Sequence, residues 1–181
     1  MATTAAGTPY VESSDLVANY PGVSLALANH IDTIGKVLQV VRATDTTLRS
    51  TSSTSFVDLT GMTVTITPEK VDSSILLLAF LSGSLEGTAA GYQIFGQYQI
   101  TNAANTAISG AQTNGLGLQA SAPGGVAVFL GAPVSLSAFD SPATLSAVTY
   151  KMRFKVSSAS YTLYAANNTN TGQMFAIEVA A

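Results

Sequence analysis

Residues 62–81 read MTVTITPEKVDSSILLLAFL, and the reading of this stretch decides the fold. Met62, Val64 and Ile66 alternate with Thr63, Thr65 and Thr67, and a period of two sets apolar groups on one face of a strand and hydroxyls on the other. Pro68 has no N–H to give to a neighbouring strand and ends the pairing. Asp72, Ser73 and Ser74 supply turn chemistry. Ile75 to Leu81 then follows as a nearly unbroken apolar run, and a short run of this kind between turn signals predicts a strand covered on both faces. A half-solvated strand followed at once by a buried one begins a two-layer β-sandwich, so this pair is expected to be the kernel of the core.

Outward from the kernel, period-two patterning holds from Lys36 to the C-terminus. Val37 to Arg42 predicts a strand. Residues 44–55 are rich in Ser and Thr, carry only Leu48 as a large apolar group, and predict a loop or a solvated edge strand. Phe56 to Leu59 leads through Gly61 into the kernel, and residues 83–91 read as a turn region. Tyr92, Ile94, Tyr98 and Ile100 alternate with Gln93, Phe95, Gln97 and Gln99 around Gly96, so both faces carry bulk. Residues 101–125 hold five glycines and predict long loops with at most a short strand near Leu116 to Gln119. Further strands are expected at 126–130, 134–139, 148–156, 161–165 and 174–179. Tyr150, Met152, Phe154 and Val156 alternate with Lys151, Arg153 and Lys155, a clean division between core and outer face. Eight or nine short strands make the expected fold all-β, a jelly-roll-like β-sandwich.

The N-terminal part is different. Residues 1–12 read as an extended arm in which Pro9 and Tyr10 are the rigid features. Ser13, Ser14 and Asp15 can cap a short helical turn through Leu16, which Pro21 and Gly22 interrupt just after Tyr20. Val23, Leu27, Ile31 and Ile34 then form one stripe of a 3.6-period helix, with Gly35 at its C-terminal cap. A helix of about a dozen residues is too short to stand alone, so its stripe has to pack on something. The switch of period predicts two parts, an arm and helical anchor over 1–35 and a β-sandwich over 36–181. The anchoring contacts expected are Tyr10, Leu16, Tyr20, Val23, Leu27, Ile31 and Ile34.

Composition narrows the function. Only 9% of the residues are charged against a typical ~25%, and mean hydropathy is +0.35. A surface so poor in charge tends to associate, and the chain is expected to be a homo-oligomer. The expected subunit contacts lie on the 92–100 strand, at Phe95 on one face and at Tyr92 and Tyr98 on the opposite face, one of which has to meet something beyond its own core. A net charge of -3 with scattered Lys and Arg gives no reason to bind nucleic acid. No run approaches the ~18 apolar residues that a membrane helix needs, and the N-terminus lacks the basic and apolar regions of a secretion signal. With no cysteine there is no disulfide framework, thiolate metal site or cysteine nucleophile. His30 and Asp32 are two apart in a predicted helix and point to different faces. Asp45, Asp58, Asp72 and Asp140 fall in or beside predicted turns, where carboxylates cap backbone amides. No facing carboxylate pair or phosphate-binding glycine loop is present, so neither catalysis nor a metal or other cofactor is expected. The tyrosines at 92, 98, 161 and 164 read as core or interface groups before they read as sugar-stacking platforms.

Several segments together resemble a family. KVLQVVRATDTT at 36–47, TSFVDLTGMTVTITP at 54–68, SSILLLAFLSG at 73–83, DSPATLSAVTYKMRF at 140–154 and FAIEVAA at 175–181 are similar, in this order and spacing, to a domain of tailed-bacteriophage virion proteins of the tail fibre and minor tail protein type. PYVESSDLVANYPGVSLALANHID at 9–32 resembles the connector that precedes that domain. The resemblance implies a homotrimeric jelly roll on a virion, assembled in the bacterial cytoplasm and held by its N-terminus to capsid, portal, neck or tail proteins. A host-surface glycan is a further expected partner, and the resemblance implies no catalytic residue. The chain departs from the family in having no long shaft, which favours a head fibre, a capsid decoration protein or a short fibre. The competing reading is a carbohydrate-binding module without catalysis.

Overall fold

A computed structural model describes residues 2–3, 9–10, 24–27, 36–88, 91–108, 115–122 and 127–181. Near the N-terminus β1 (Ala2–Thr3) pairs antiparallel with β2 (Pro9–Tyr10), and residues 24–27 form a helical turn. The β domain holds β3 (Val37–Asp45), β4 (Leu48–Thr51), β5 (Val57–Ile66), β6 (Ser74–Gly87), β7 (Gly91–Asn102), β8 (Leu116–Ala122), β9 (Val128–Asp140), β10 (Val148–Val156), β11 (Tyr161–Ala166) and β12 (Gly172–Val179).

Two antiparallel sheets face each other. The first has the order β5-β10-β7-β8. In the second, β6 pairs with β9 along one edge and on its other edge with β12 over Ser74–Phe80 and with β11 over Gly83–Gly87. β11 and β12 are therefore halves of one long strand, parted by the excursion at 167–171. β4 on β11 and β3 on β12 repeat that break in the next column. With each broken strand taken as one, the chain order is β3/β4, β5, β6, β7, β8, β9, β10 and β11/β12. The first pairs with the eighth, the second with the seventh, the third with the sixth and the fourth with the fifth. That is a long hairpin rolled up on itself, the topology of a jelly roll.

The core is filled as the period-two reading expects. Leu59, Met62, Val64 and Ile66 of β5 and Tyr150, Met152, Phe154 and Val156 of β10 face Ile75, Leu77, Ala79, Leu81 and Leu85 of β6, with Met174 and Ala176 of β12. Fully burying one such side chain contributes about 1.5–3 kcal/mol. Three expectations need correction. β6 does not end near residue 82; it continues to Gly87, because Ser82 and Ser84 sit on its outer face and Leu85 returns to the core. Gly83 is no turn residue, for a Cβ there would come within 2.8 Å of the Tyr98 hydroxyl, and its role is to let that ring pass. β6 is also not covered on both faces, since Leu76 and Leu78 are half-buried and Phe80 is 41% exposed.

The loop or edge strand expected at 44–55 is the edge strand β4, entered through a turn in which the Thr47 amide donates to Asp45. Between Thr63↔Lys151 and Asp58↔Arg153 the register of β5 slips, and the extra residues bulge at Gly61, whose φ is +93°. A side chain there would be strained by its backbone and would meet the Asp45 carboxylate at 2.7 Å.

Of the seven anchoring residues, Leu16, Tyr20, Val23, Ile31 and Ile34 lie outside the described residues. Tyr10 is described as backbone in β2, and Leu27 is half-buried at the end of the helical turn. β3 opens at Val37.

Candidate interaction surface

The two outer faces of the sandwich have opposite chemistry, and both follow from side-chain alternation. On the first sheet, β5 presents Thr63 and Thr65, β10 presents Thr149, Lys151, Arg153 and Lys155, and β7 presents Gln97, while Gln99 on the same side is buried. Thr65 and Thr149 hydroxyls lie 2.9 Å apart. Lys151 Nζ and Arg153 Nε reach the two oxygens of Asp58 at 2.7 and 2.9 Å. Hydrogen bonding from Lys151, helped by Arg153 and by both charges, holds the Asp58 carboxyl below its usual range against the opposing effect of burial. Lys155 Nζ sits 4.7 Å from the centre of the Phe56 ring. The basic row thus finds its acidic partner within its own chain, on the neighbouring strand.

The interface residues expected from the 92–100 strand are not gathered on this face. Tyr98 is fully buried: its ring stacks on Phe154 at 6.3 Å and its hydroxyl donates to the Tyr164 carbonyl. Burial pushes its phenol up, and the residue is a core group with no surface to offer a partner. Phe95 does point outward, half-buried, with its backbone tied to Ser157 at both N and O. The side chain of Tyr92 lies outside the described residues. Of the other tyrosines weighed as sugar platforms, Tyr161 is buried and Tyr164 half-buried.

The second sheet carries the exposed apolar surface. Its register aligns Val40, Ile177, Leu76 and Phe139 in one outward row across four strands. The next row is Arg42, Phe175, Leu78 and Ser137, and the third is Thr44, Gln173, Phe80 and Ser135. Val40 is 55% exposed, Phe139 52% and Phe80 41%. Phe80 packs edge-on to Phe175 at 6.4 Å, and Arg42, the one charged group in these rows, lies over the Phe175 ring at 5.8 Å. With partly covered neighbours included, these rows expose on the order of 500 Å² of apolar surface, near the top of the range for the largest patch on a monomer. Beside Phe80, where the 167–171 excursion stands over the sheet, a cleft of about 430 Å³ is lined by Phe80, Ser82, Pro133, Ser135, Asn170 and Thr171. No charged group lines it.

The carboxylates elsewhere are engaged in holding the fold. Glu178, on the inner side of β12, is fully buried and accepts hydrogen bonds from Ser73 Oγ at 2.5 Å, Gln39 Nε2 at 2.6 Å and the amides of Glu69 and Lys70 at 2.9 and 3.2 Å. Burial pushes its carboxyl up, and those donors together more than offset this and hold it below the ordinary range. Asp45 is fixed by Asn167 Nδ2 at 3.0 Å, by the Thr47 amide and by Arg49, which together outweigh its burial and lower its carboxyl. Asp140 accepts from the Tyr150 hydroxyl at 2.7 Å. His30 lies outside the described residues. Among the described residues no three His, Asp or Glu side chains converge as metal ligands.

The signal for this site was present in the sequence. SSILLLAFL is apolar at both parities, as is MFAIEV of β12, and a strand apolar at both parities needs a cover on each side. Only the strand order shows that no strand among the described residues supplies the second cover and that Val40 and Phe139 extend the same row.

No protein-family model matches the chain, and no curated protein does. Among solved structures, a chain of the structure of infectious bursal disease virus, Gx strain, is similar at a TM-score of 0.28 with 11% identity, over 80% of this chain and 40% of that one. This chain spans less than half the length of that one, and an overlap this loose identifies no relative.

Proposed function

We propose that this chain is a structural protein of a tailed-bacteriophage particle, a short fibre-like or decorating subunit that is homotrimeric and is held to other virion proteins through residues 1–35. The observation that carries this reading is the apolar outer face of the second sheet, set against a polar, internally paired outer face on the first. A chain with so little charge leaves such a face open only if another protein covers it. Closed rotational symmetry is the usual way in which identical subunits do so. The jelly roll is frequent among viral capsid and lectin domains, which agrees with the reading without deciding it. Tailed phage and the number three come from the sequence resemblance.

Electron cryo-microscopy of whole particles tests the proposal. The expected result is density for the β-sandwich at the particle surface in three-fold clusters; absence of the chain from purified particles would reject it. Deletion of residues 1–35 is expected to leave a cooperatively melting β domain, because the described core lies entirely within 59–180. The shortened chain is expected to be missing from particles, and incorporation at the full-length level would reject the anchoring role.

A further inference from the structure

We infer that Phe129 of one copy seats in the cleft beside Phe80 of a second copy, so that the subunits are joined head to tail; this rests on the self-association proposed above and specifies its contact. Phe129 is 73% exposed, the most exposed of the large apolar side chains among the described residues. Its ring leans along the strand toward Gly131, 3.9 Å from where a Cβ on that glycine would stand, and opposite it on β6 is Glu86. No described residue encloses it.

The cleft has the size and chemistry to take such a ring. Its volume of about 430 Å³ exceeds what a phenyl group needs, and its floor offers the half-open Phe80 ring as an edge-to-face partner. Pro133, Ser135, Ser82, Asn170 and Thr171 complete it without a charge. The strand that carries the ring is equally neutral, since Asp140 is the one charged residue in VFLGAPVSLSAFD.

The ring cannot enter its own cleft. Phe129 and the floor residues Pro133 and Ser135 are on the same strand, four and six positions apart, which is about 13–20 Å. β9 is paired with β6 from Val128 to Asp140, so it has no freedom to fold back. A second copy carries a ring of matching chemistry that is free to enter it. β9 has no strand partner other than β6 among the described residues, and an uncharged edge of this length is normally covered. With roughly 150 Å² more from Phe129, the exposed rows reach about 650 Å², at the low end of the area per partner of a specific interface. Because ring and cleft are different patches of one surface, the contact is head to tail and repeats from copy to copy, and a three-fold rotation closes it into the trimer proposed above.

The test uses the full chain with Phe129 replaced by the photoreactive aromatic p-benzoylphenylalanine. Irradiation is expected to give covalent products up to the trimer, with cross-linked peptides containing residues 80–82, 133–135 or 170–171. Separately, Phe129→Ser is expected to weaken association at least about 30-fold without changing the unfolding midpoint of the dissociated chain. Cross-links mapped to other residues, products that stop at the dimer, or oligomers that form with neither cross-link nor sensitivity to Phe129→Ser would each overturn the head-to-tail contact and leave self-association standing. An unmodified protein that stays monomeric would overturn both.

Discussion

Replacing Glu178 with alanine is expected to lower the unfolding free energy by about 3–5 kcal/mol, because several buried neutral donors lose their acceptor at about 1–3 kcal/mol each. The carboxylate has no exposed surface and gathers four donors from two places: Gln39 on β3, and Ser73 with the amides of Glu69 and Lys70 in the β5–β6 connection. Truncation leaves all four donors facing a void. It also releases the connection that joins the two sheets at the kernel. Glu178→Gln keeps the shape but loses the charge and turns an amide nitrogen toward a donor, and is expected to cost about 1–3 kcal/mol. Denaturant titrations at neutral pH measure both.

The pH dependence of this effect has a fixed sign. The Glu178 carboxyl is lowered in the folded protein, so the unfolded chain binds the proton more readily. Its contribution is full above the ordinary glutamate range and is lost as pH falls through the folded value. The difference between the native protein and Glu178→Gln is therefore expected to shrink on acidification. A gap that widened in acid would show that the carboxylate is not stabilised by these donors.

Introducing lysine at both Phe80 and Phe139 is expected to weaken self-association by more than about 100-fold while leaving the fold intact. Both rings are about half exposed on the outer face, so a lysine at either place can reach water along its own stem. In an assembly the same ammonium groups would be buried against an apolar surface with no acid in the three rows to pair them. The control is the pair Thr63→Lys and Thr65→Lys on the outer face of the other sheet, where association is expected to be unchanged. Equal loss of association in both double variants would move the interface off the second sheet.

The kernel at 62–81 shows what could be read in advance and what could not. The alternation of Met62, Val64 and Ile66 with threonines is a local property, and β5 buries those three as expected. The both-sided apolarity of Ile75 to Leu81 was equally visible, but burial on both faces needs a second layer. Whether the chain supplies that layer depends on which strands lie next to β6, and pairing between residues as distant as Leu76 and Ile177 leaves no local mark. The same reason explains Tyr98. Its alternation with Phe95 is local, but which of the two faces is inside depends on Phe154 beside it and on Gly83 and Tyr164 of the facing sheet. Gly83 looked like a turn because a glycine between serines usually is one; only the Tyr98 hydroxyl beneath it shows the close approach. Glu178 carried no signal beyond being a charge in an apolar strand, since its donors come from residues over a hundred positions away.

Sedimentation velocity of the purified full chain over a range of micromolar concentrations tests the central claim most directly, that this is a self-assembling jelly roll with its second sheet covered by another copy. The chain mass is 18.5 kDa, and the account predicts a species of about 55 kDa, three times that value, which shifts toward the single-chain mass in the Phe80→Lys/Phe139→Lys variant. A single 18.5 kDa species at every concentration, unaffected by the same substitutions, would contradict it.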